Sequence, residues 1–118
     1  MKIVVDAMGG DKNIPQINIE GAIYALQEDK DIEVILTGPY ELLERTLKEK
    51  IKSVSKNKLD RIMLVNAEDV VEMDEQPSKV LKTKQNSSIG VGIKLLKEGV
   101  ADAFVSAGNS GAVAAFAL

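Results

Sequence analysis

No cysteine and no histidine occur among the 118 residues. The first absence excludes disulfides, thiolate–metal sites and a cysteinyl acyl-enzyme from this segment. The second removes the commonest general base and the commonest metal ligand. Aromatic residues make up only 3% of the chain, too few for a base-stacking surface. Nor is there an excess of positive charge. The net charge is −3, with Lys and Glu interspersed, so the basic footprint of a nucleic-acid binder is missing and no nucleic-acid partner is expected. No apolar run approaches the roughly 18–20 residues that would cross a bilayer, and Met1-Lys2-Ile3-Val4-Val5-Asp6 reads as a strand, too short for a signal peptide. A cytoplasmic protein is expected on these grounds.

What is present is ordinary globular material, 45% hydrophobic and 28% charged, enough for one domain with a modest core. The final run, Ala112-Val113-Ala114-Ala115-Phe116-Ala117-Leu118, favours helix but has no polar cap, glycine or basic last turn. The expectation is therefore a single α/β domain over 1–118 that is an incomplete part of a longer chain.

The apolar pattern alternates between short β-branched runs and helical stripes. Ile3-Val4-Val5 predicts a buried strand ending at Asp6 and the Gly9-Gly10 break. A helix follows from near Pro15, with Ile19, Ala22, Ile23 and Leu26 as its buried stripe. Residues 32–36 predict a second strand, and a helix from Pro39 carries Leu43, Leu47 and Ile51 on one ridge. Its acids come early and its lysines late, which suits the helix dipole, and Glu44 and Lys48 are spaced as an exposed pair. Residues 62–65 predict a third strand. Residues 66–78 read as irregular, with Pro77 blocking helix. Ser87 and Ser88 would cap a helix through Ile89, Ile93 and Leu96 that ends at Gly99. Ala103-Phe104-Val105 predicts a fourth strand, and residues 106–111 a turn into a last helix. Strands alternating with helices give an α/β fold with a mostly parallel sheet and helices on both faces.

In such sheets ligands bind beyond the carboxyl ends of the strands, which points to three segments. Asp6-Ala7-Met8-Gly9-Gly10-Asp11 lets backbone approach a ligand closely, or is simply a tight strand-to-helix turn; it lacks the Gly-x-Gly-x-x-Gly dinucleotide spacing. Met73-Asp74-Glu75-Gln76-Pro77-Ser78 leads into Lys79, Lys82, Lys84, Ser87 and Ser88. These lysines and hydroxyls would cradle an anion, or form a solvated basic face with a serine cap. Asp74 and Glu75 are adjacent and diverge, so no metal is expected. Ser106-Ala107-Gly108-Asn109-Ser110-Gly111 offers amide and hydroxyl donors at a helix start, suited to phosphate or an oxyanion, or to a plain N-cap.

Together, Val5 to Asp11, Pro77 to Ser88 and Ser106 to Gly111 resemble, in the same order, the PlsX-type phosphate acyltransferases of bacterial phospholipid synthesis, and the resemblance runs from Met1 to Leu118. Relatives often have Thr where Ser110 stands and Arg where Lys82 stands. The resemblance implies the fold shared by phosphotransacetylases and the isocitrate and isopropylmalate dehydrogenases, of which this chain would be the amino-terminal part, inactive alone. It implies transfer of a fatty acyl group from acyl-carrier-protein to inorganic phosphate, with no cofactor. It also implies a homodimer, and peripheral association with the inner face of the membrane through parts outside these residues.

On that reading Asn109 and Lys82 are the expected catalytic residues. Ser106, Gly108, Ser110 and Gly111 would bind phosphate or the oxyanion, with Lys84, Ser87 and Ser88 holding the remaining phosphate charge. Asp6, Gly9 and Gly10 would shape the floor, and exposed lysines such as Lys79 would meet the acidic carrier. Phosphate is already a competent nucleophile, so direct displacement needs positioning and oxyanion stabilisation more than a base. Two alternatives stand beside this one. A coenzyme A-dependent phosphate acetyl- or butyryltransferase would share the fold, and a non-catalytic α/β binding domain would share the composition. A decarboxylating dehydrogenase fits poorly, because Arg45 and Arg61 are the only arginines and neither falls in a candidate segment.

Overall fold

A computed structural model describes residues 1–53 and 56–118. Four strands, β1 (Lys2–Asp6), β2 (Glu33–Gly38), β3 (Ile62–Asn66) and β4 (Ala103–Val105), form one sheet in the order β3-β2-β1-β4. Every pairing is parallel, with Val5 beside Leu36 on one side and Val105 on the other. The helices are α1 (Gln16–Glu28), α2 (Tyr40–Lys50), the four-residue α3 (Lys56–Leu59), α4 (Pro77–Thr83), α5 (Ser88–Lys97) and α6 (Ser110–Ala117); a 3₁₀ turn, Ile51–Ser53, extends α2.

Period-two alternation divides the core as the pattern predicts. Ile3, Val5, Val34, Leu36, Ile62 and Leu64 face α1 and α2, where Ile19, Ala22, Ile23, Leu26 and Leu43 are buried against them. Val4, Ile35, Val65 and Phe104 face the other way, toward α5. There α4, α5 and α6 close a second cluster through Val80, Ile89, Ile93, Ala112 and Phe116. Parallel crossovers keep one hand, so a chain that reverses direction across the sheet must change face. It does so here after β3. The helices therefore lie on both faces, and the expected fold class is observed.

Gly92 sets how closely α5 approaches the sheet: a Cβ there would stand 2.4 Å from Phe104 Cε1 and 3.1 Å from Val4 Cγ1. At the opposite end of the sheet, Arg61 donates to the carbonyls of Leu26 (2.7 Å), Asp29 (2.9 Å) and Ile32 (3.0 Å), satisfying the last turn of α1.

The predicted stripe of α1 is buried in full, and Gly99 follows α5 with φ +77° as a helix-ending glycine should. The Glu44–Lys48 pair forms at 3.5 Å on the exposed face of α2. One expectation is corrected. Pro77 does not block helix but begins α4, where its missing N–H belongs to a first-turn position that has no intrahelical partner anyway.

Candidate functional site

The order in which the chain adds strands reverses between β1 and β4, so their carboxyl ends form the crevice where open α/β sheets bind ligands. Asp6 ends β1 and is 2% exposed. Its Oδ1 accepts from the Met8 amide at 3.0 Å, and its Oδ2 accepts from the Ser106 hydroxyl at 2.7 Å. Ser106 Oγ in turn accepts from the Gly108 amide at 2.9 Å. One buried carboxylate thus ties the loop after β1 to the loop after β4.

The two loops are in backbone contact. A Cβ on Gly9 would lie 2.7 Å from the Gly108 nitrogen and 2.9 Å from Asp6 Oδ2, so only glycine fits there. Gly10 turns the chain away with φ +114°. From below, the Asn18 amide donates to the carbonyls of Ala7 and Gly9, both at 2.8 Å. The floor of the crevice is therefore a braced assembly of two glycine turns.

Above the floor, α6 begins. Asn109 caps it, accepting from the Ala112 amide at 3.1 Å. The amides of Ser110 and Gly111 have no hydrogen-bond partner among the described residues. These two N–H groups, at the positive end of a helix beside the switch point, suit an anion. Ser110 is exposed beside them.

The Asn109 side chain has a second task. Its Nδ2 donates to the carbonyls of Glu72 (3.1 Å), Met73 (3.4 Å) and Glu75 (2.9 Å). Lys84 grips the same loop, donating to the Val70 carbonyl at 2.8 Å and pairing with Glu75 Oε1. The other carboxylate oxygen, Glu75 Oε2, is buried without a partner among the described residues. Gly111 packs against Pro77, whose Cγ would lie 2.5 Å from a Cβ at position 111. The second and third candidate segments therefore meet through Asn109, Glu75 and Pro77.

The structure thus brings Asp6, Gly9, Ser106 and Gly108 into contact, with Gly10 on the same turn and Asn109, Ser110 and Gly111 directly following. Ser87 and Ser88 are elsewhere in kind. They are 0% and 2% exposed, and Ser87 Oγ accepts from the Gly90 amide at 3.0 Å as the cap of α5. Lys82 is exposed on α4 and makes no hydrogen bond or ion pair among the described residues. Sequence reasoning missed Asn18, and it placed Glu75 in a candidate segment without its pairing to Lys84. The signal for Asn18 was a polar residue in the first turn of α1, in helical register with the buried Ala22. The pairing of Glu75 gave no signal, since its lysine lies beyond the unforeseen α4.

The family model described as "Fatty acid synthesis protein" matches residues 1–118. The chain belongs to that family. It is 45% identical over its whole length to a phosphate acyltransferase of Halothermothrix orenii, and 48% identical to one of Dictyoglomus thermophilum. A phosphate acyltransferase of Clostridioides difficile is 42% identical, again over the whole chain. The chain covers 34%, 33% and 33% of these three proteins, about a third of their length. The crevice at β1 and β4 is therefore built from residues that match about one third of each relative. No described helix is long and apolar enough to cross a membrane.

Proposed function

We propose that these residues are the amino-terminal α/β portion of an enzyme that transfers a fatty acyl group from acyl-carrier-protein to inorganic phosphate. A phosphate oxygen attacks the thioester carbonyl carbon. The new C–O bond gives an acyl phosphate as the C–S bond breaks, and the carrier thiolate leaves and takes up a proton. The observation that carries this reading is the pair of unpartnered amides at the start of α6, beside the crevice braced by Asp6 and Ser106. In a chain similar throughout to phosphate acyltransferases, an anion-binding helix start at the switch point is what phosphate requires.

On this reading the amides of Ser110 and Gly111 and the Ser110 hydroxyl hold phosphate or the developing oxyanion. Gly108, Gly9 and Gly10 allow close approach, and Asp6 and Ser106 hold the floor. Asn109 acts by fixing α6 against the loop at 72–75, and Lys84 by holding the same loop. Lys82 and Lys79, exposed on α4, contribute charge toward phosphate or the acidic carrier. Ser87 and Ser88 serve through the placement of α5. The working protein is a cytoplasmic homodimer, peripheral at the inner face of the membrane, and it needs no cofactor.

The test replaces the matching third of the H. orenii phosphate acyltransferase with residues 1–118. Acyl phosphate formed from palmitoyl-carrier-protein is then trapped with hydroxylamine. Phosphate-dependent product, reduced at least about tenfold (~1.4 kcal/mol) when Ser110, exposed at the first position of α6, is replaced by proline to remove its amide and hydroxyl, is expected. Turnover with acyl-coenzyme A but not the carrier thioester would assign a phosphotransacetylase-like activity instead. A folded chimera silent with both donors, beside an active H. orenii parent, would refute the proposal.

A further inference from the structure

Val80 anchors α4 in the cluster it shares with Ile89, Ile93 and Ala112. Beside that anchor lies a cavity of about 440 Å³, lined by Glu75, Gln76, Lys79, Val80, Thr83 and Lys84. Positions 76, 79, 80, 83 and 84 follow helical spacing, so one side of α4 forms its wall. The polar groups there are unequally satisfied. Lys84 is committed to Glu75 Oε1 and the Val70 carbonyl. Glu75 Oε2 is buried and has no partner among the described residues. Thr83 Oγ1 donates to the Lys79 carbonyl at 2.9 Å, which leaves its acceptor capacity unused. Lys79 is exposed and forms no ion pair among the described residues.

These groups define a ligand. A buried carboxylate oxygen without a partner calls for an N–H or O–H donor and opposes an anion. The uncommitted lysine on the rim calls for one negative charge. Inorganic phosphate would set its charge against Glu75, and a bare acyl chain would leave Oε2 unsatisfied. A neutral chain of hydrogen-bond donors that also carries one anionic group satisfies both ends. The location fits such a chain. Gln76 precedes Pro77, which packs against Gly111 at the start of α6. The cavity therefore begins beside the amides assigned to phosphate, and its wall runs from Gln76 to Lys84, about 12 Å at the helical rise.

We propose that the cavity along α4 is the subsite for the phosphopantetheine arm through which a carrier protein presents its thioester. The amide N–H and hydroxyl groups of the arm donate to Glu75 Oε2 and Thr83 Oγ1, and its phosphodiester meets Lys79. This subsite rests on the acyl-transfer reading and adds where the donor's arm lies.

The experiment uses the H. orenii chimera and measures KM for palmitoyl-carrier and for phosphate, with holo- and apo-carrier as competitive inhibitors; only the holo form bears the arm. Holo-carrier is expected to inhibit at least about tenfold more strongly than apo-carrier. Thr83→Trp fills the cavity from an exposed position. It should abolish that difference and raise KM for palmitoyl-carrier at least about tenfold, with KM for phosphate within about twofold of wild type. Lys79→Met should weaken holo-carrier alone, and Leu81→Trp, exposed on α4 outside the lining, should change neither carrier. If Thr83→Trp misfolds, Lys79→Met decides. Three results overturn the subsite while the acyl-transfer reading stands: an active chimera that both carriers inhibit equally, a folded Thr83→Trp that keeps the preference for holo-carrier, or a Lys79→Met that weakens both carriers alike or neither. A folded chimera silent with palmitoyl-carrier, beside an active parent, removes that reading and the subsite with it.

Discussion

Asn109 does two jobs with one amide, and the jobs can be separated by substitution. Its oxygen caps α6, and its nitrogen faces three carbonyls of the loop at 72–75. At an ordinary N-cap, aspartate serves as well as asparagine. Here Asn109→Asp keeps the cap but points a carboxylate at carbonyl oxygens, so it should cost at least about 2 kcal/mol, as much as Asn109→Ala. Urea denaturation of the two variants, with limited proteolysis to watch the loop, checks this; a harmless aspartate would mean that only the cap matters. Gly9 is a second single-residue test. A methyl group there would press on the Gly108 amide and the Asp6 carboxylate, neither of which can swing aside. Gly9→Ala should therefore destabilise by about 1–3 kcal/mol in the same denaturation assay. These residues also show what the sequence offered at this scale. The glycine pairs and Asp6 were legible as a turn after a strand. That Asp6 and Ser106 join each other was not, because the bond spans 100 positions and depends on β4 lying next to β1.

Elements were more legible than their joints. The stripe of α1 and the ridge of α2 follow from 3.6-residue spacing, and β1 to β4 from short apolar runs, since burial imposes the same periodicities that the sequence displays; the cap of α5 follows from serine's hydrogen bonding to a free amide. α4 escaped because its seven residues carry no repeated stripe, and its proline was read as a barrier rather than a start. Arg61, outside every candidate segment, proves to be an element-joining residue: from the turn before β3, its guanidinium closes the carbonyl end of α1. Replacing it by methionine keeps much of the stem but strands three carbonyls. Arg61→Met should lower stability by about 2 kcal/mol, read as a reduced urea midpoint with unchanged slope. A changed slope would indicate that the denatured state, not the cap, had responded.

At the scale of the molecule, the two sheet edges differ in what they expose. β3 shows Met63 at its outer edge. β4 shows Val105 beside an apolar groove that no described residue covers. An open edge next to exposed apolar surface is a template for association between chains, and a lysine is the usual guard against it. Val105 contributes little to the core it borders, being 54% exposed. Val105→Lys should therefore leave the unfolding free energy of the isolated chain within about 0.5 kcal/mol of wild type. It should also slow concentration-dependent aggregation, measured by light scattering on warming at matched concentrations. If the variant aggregates as fast as wild type while unfolding at the same urea midpoint, the sticky surface lies elsewhere, and the β3 edge at Met63 becomes the next to test. If it unfolds earlier, Val105 contributes more to packing than its exposure implies.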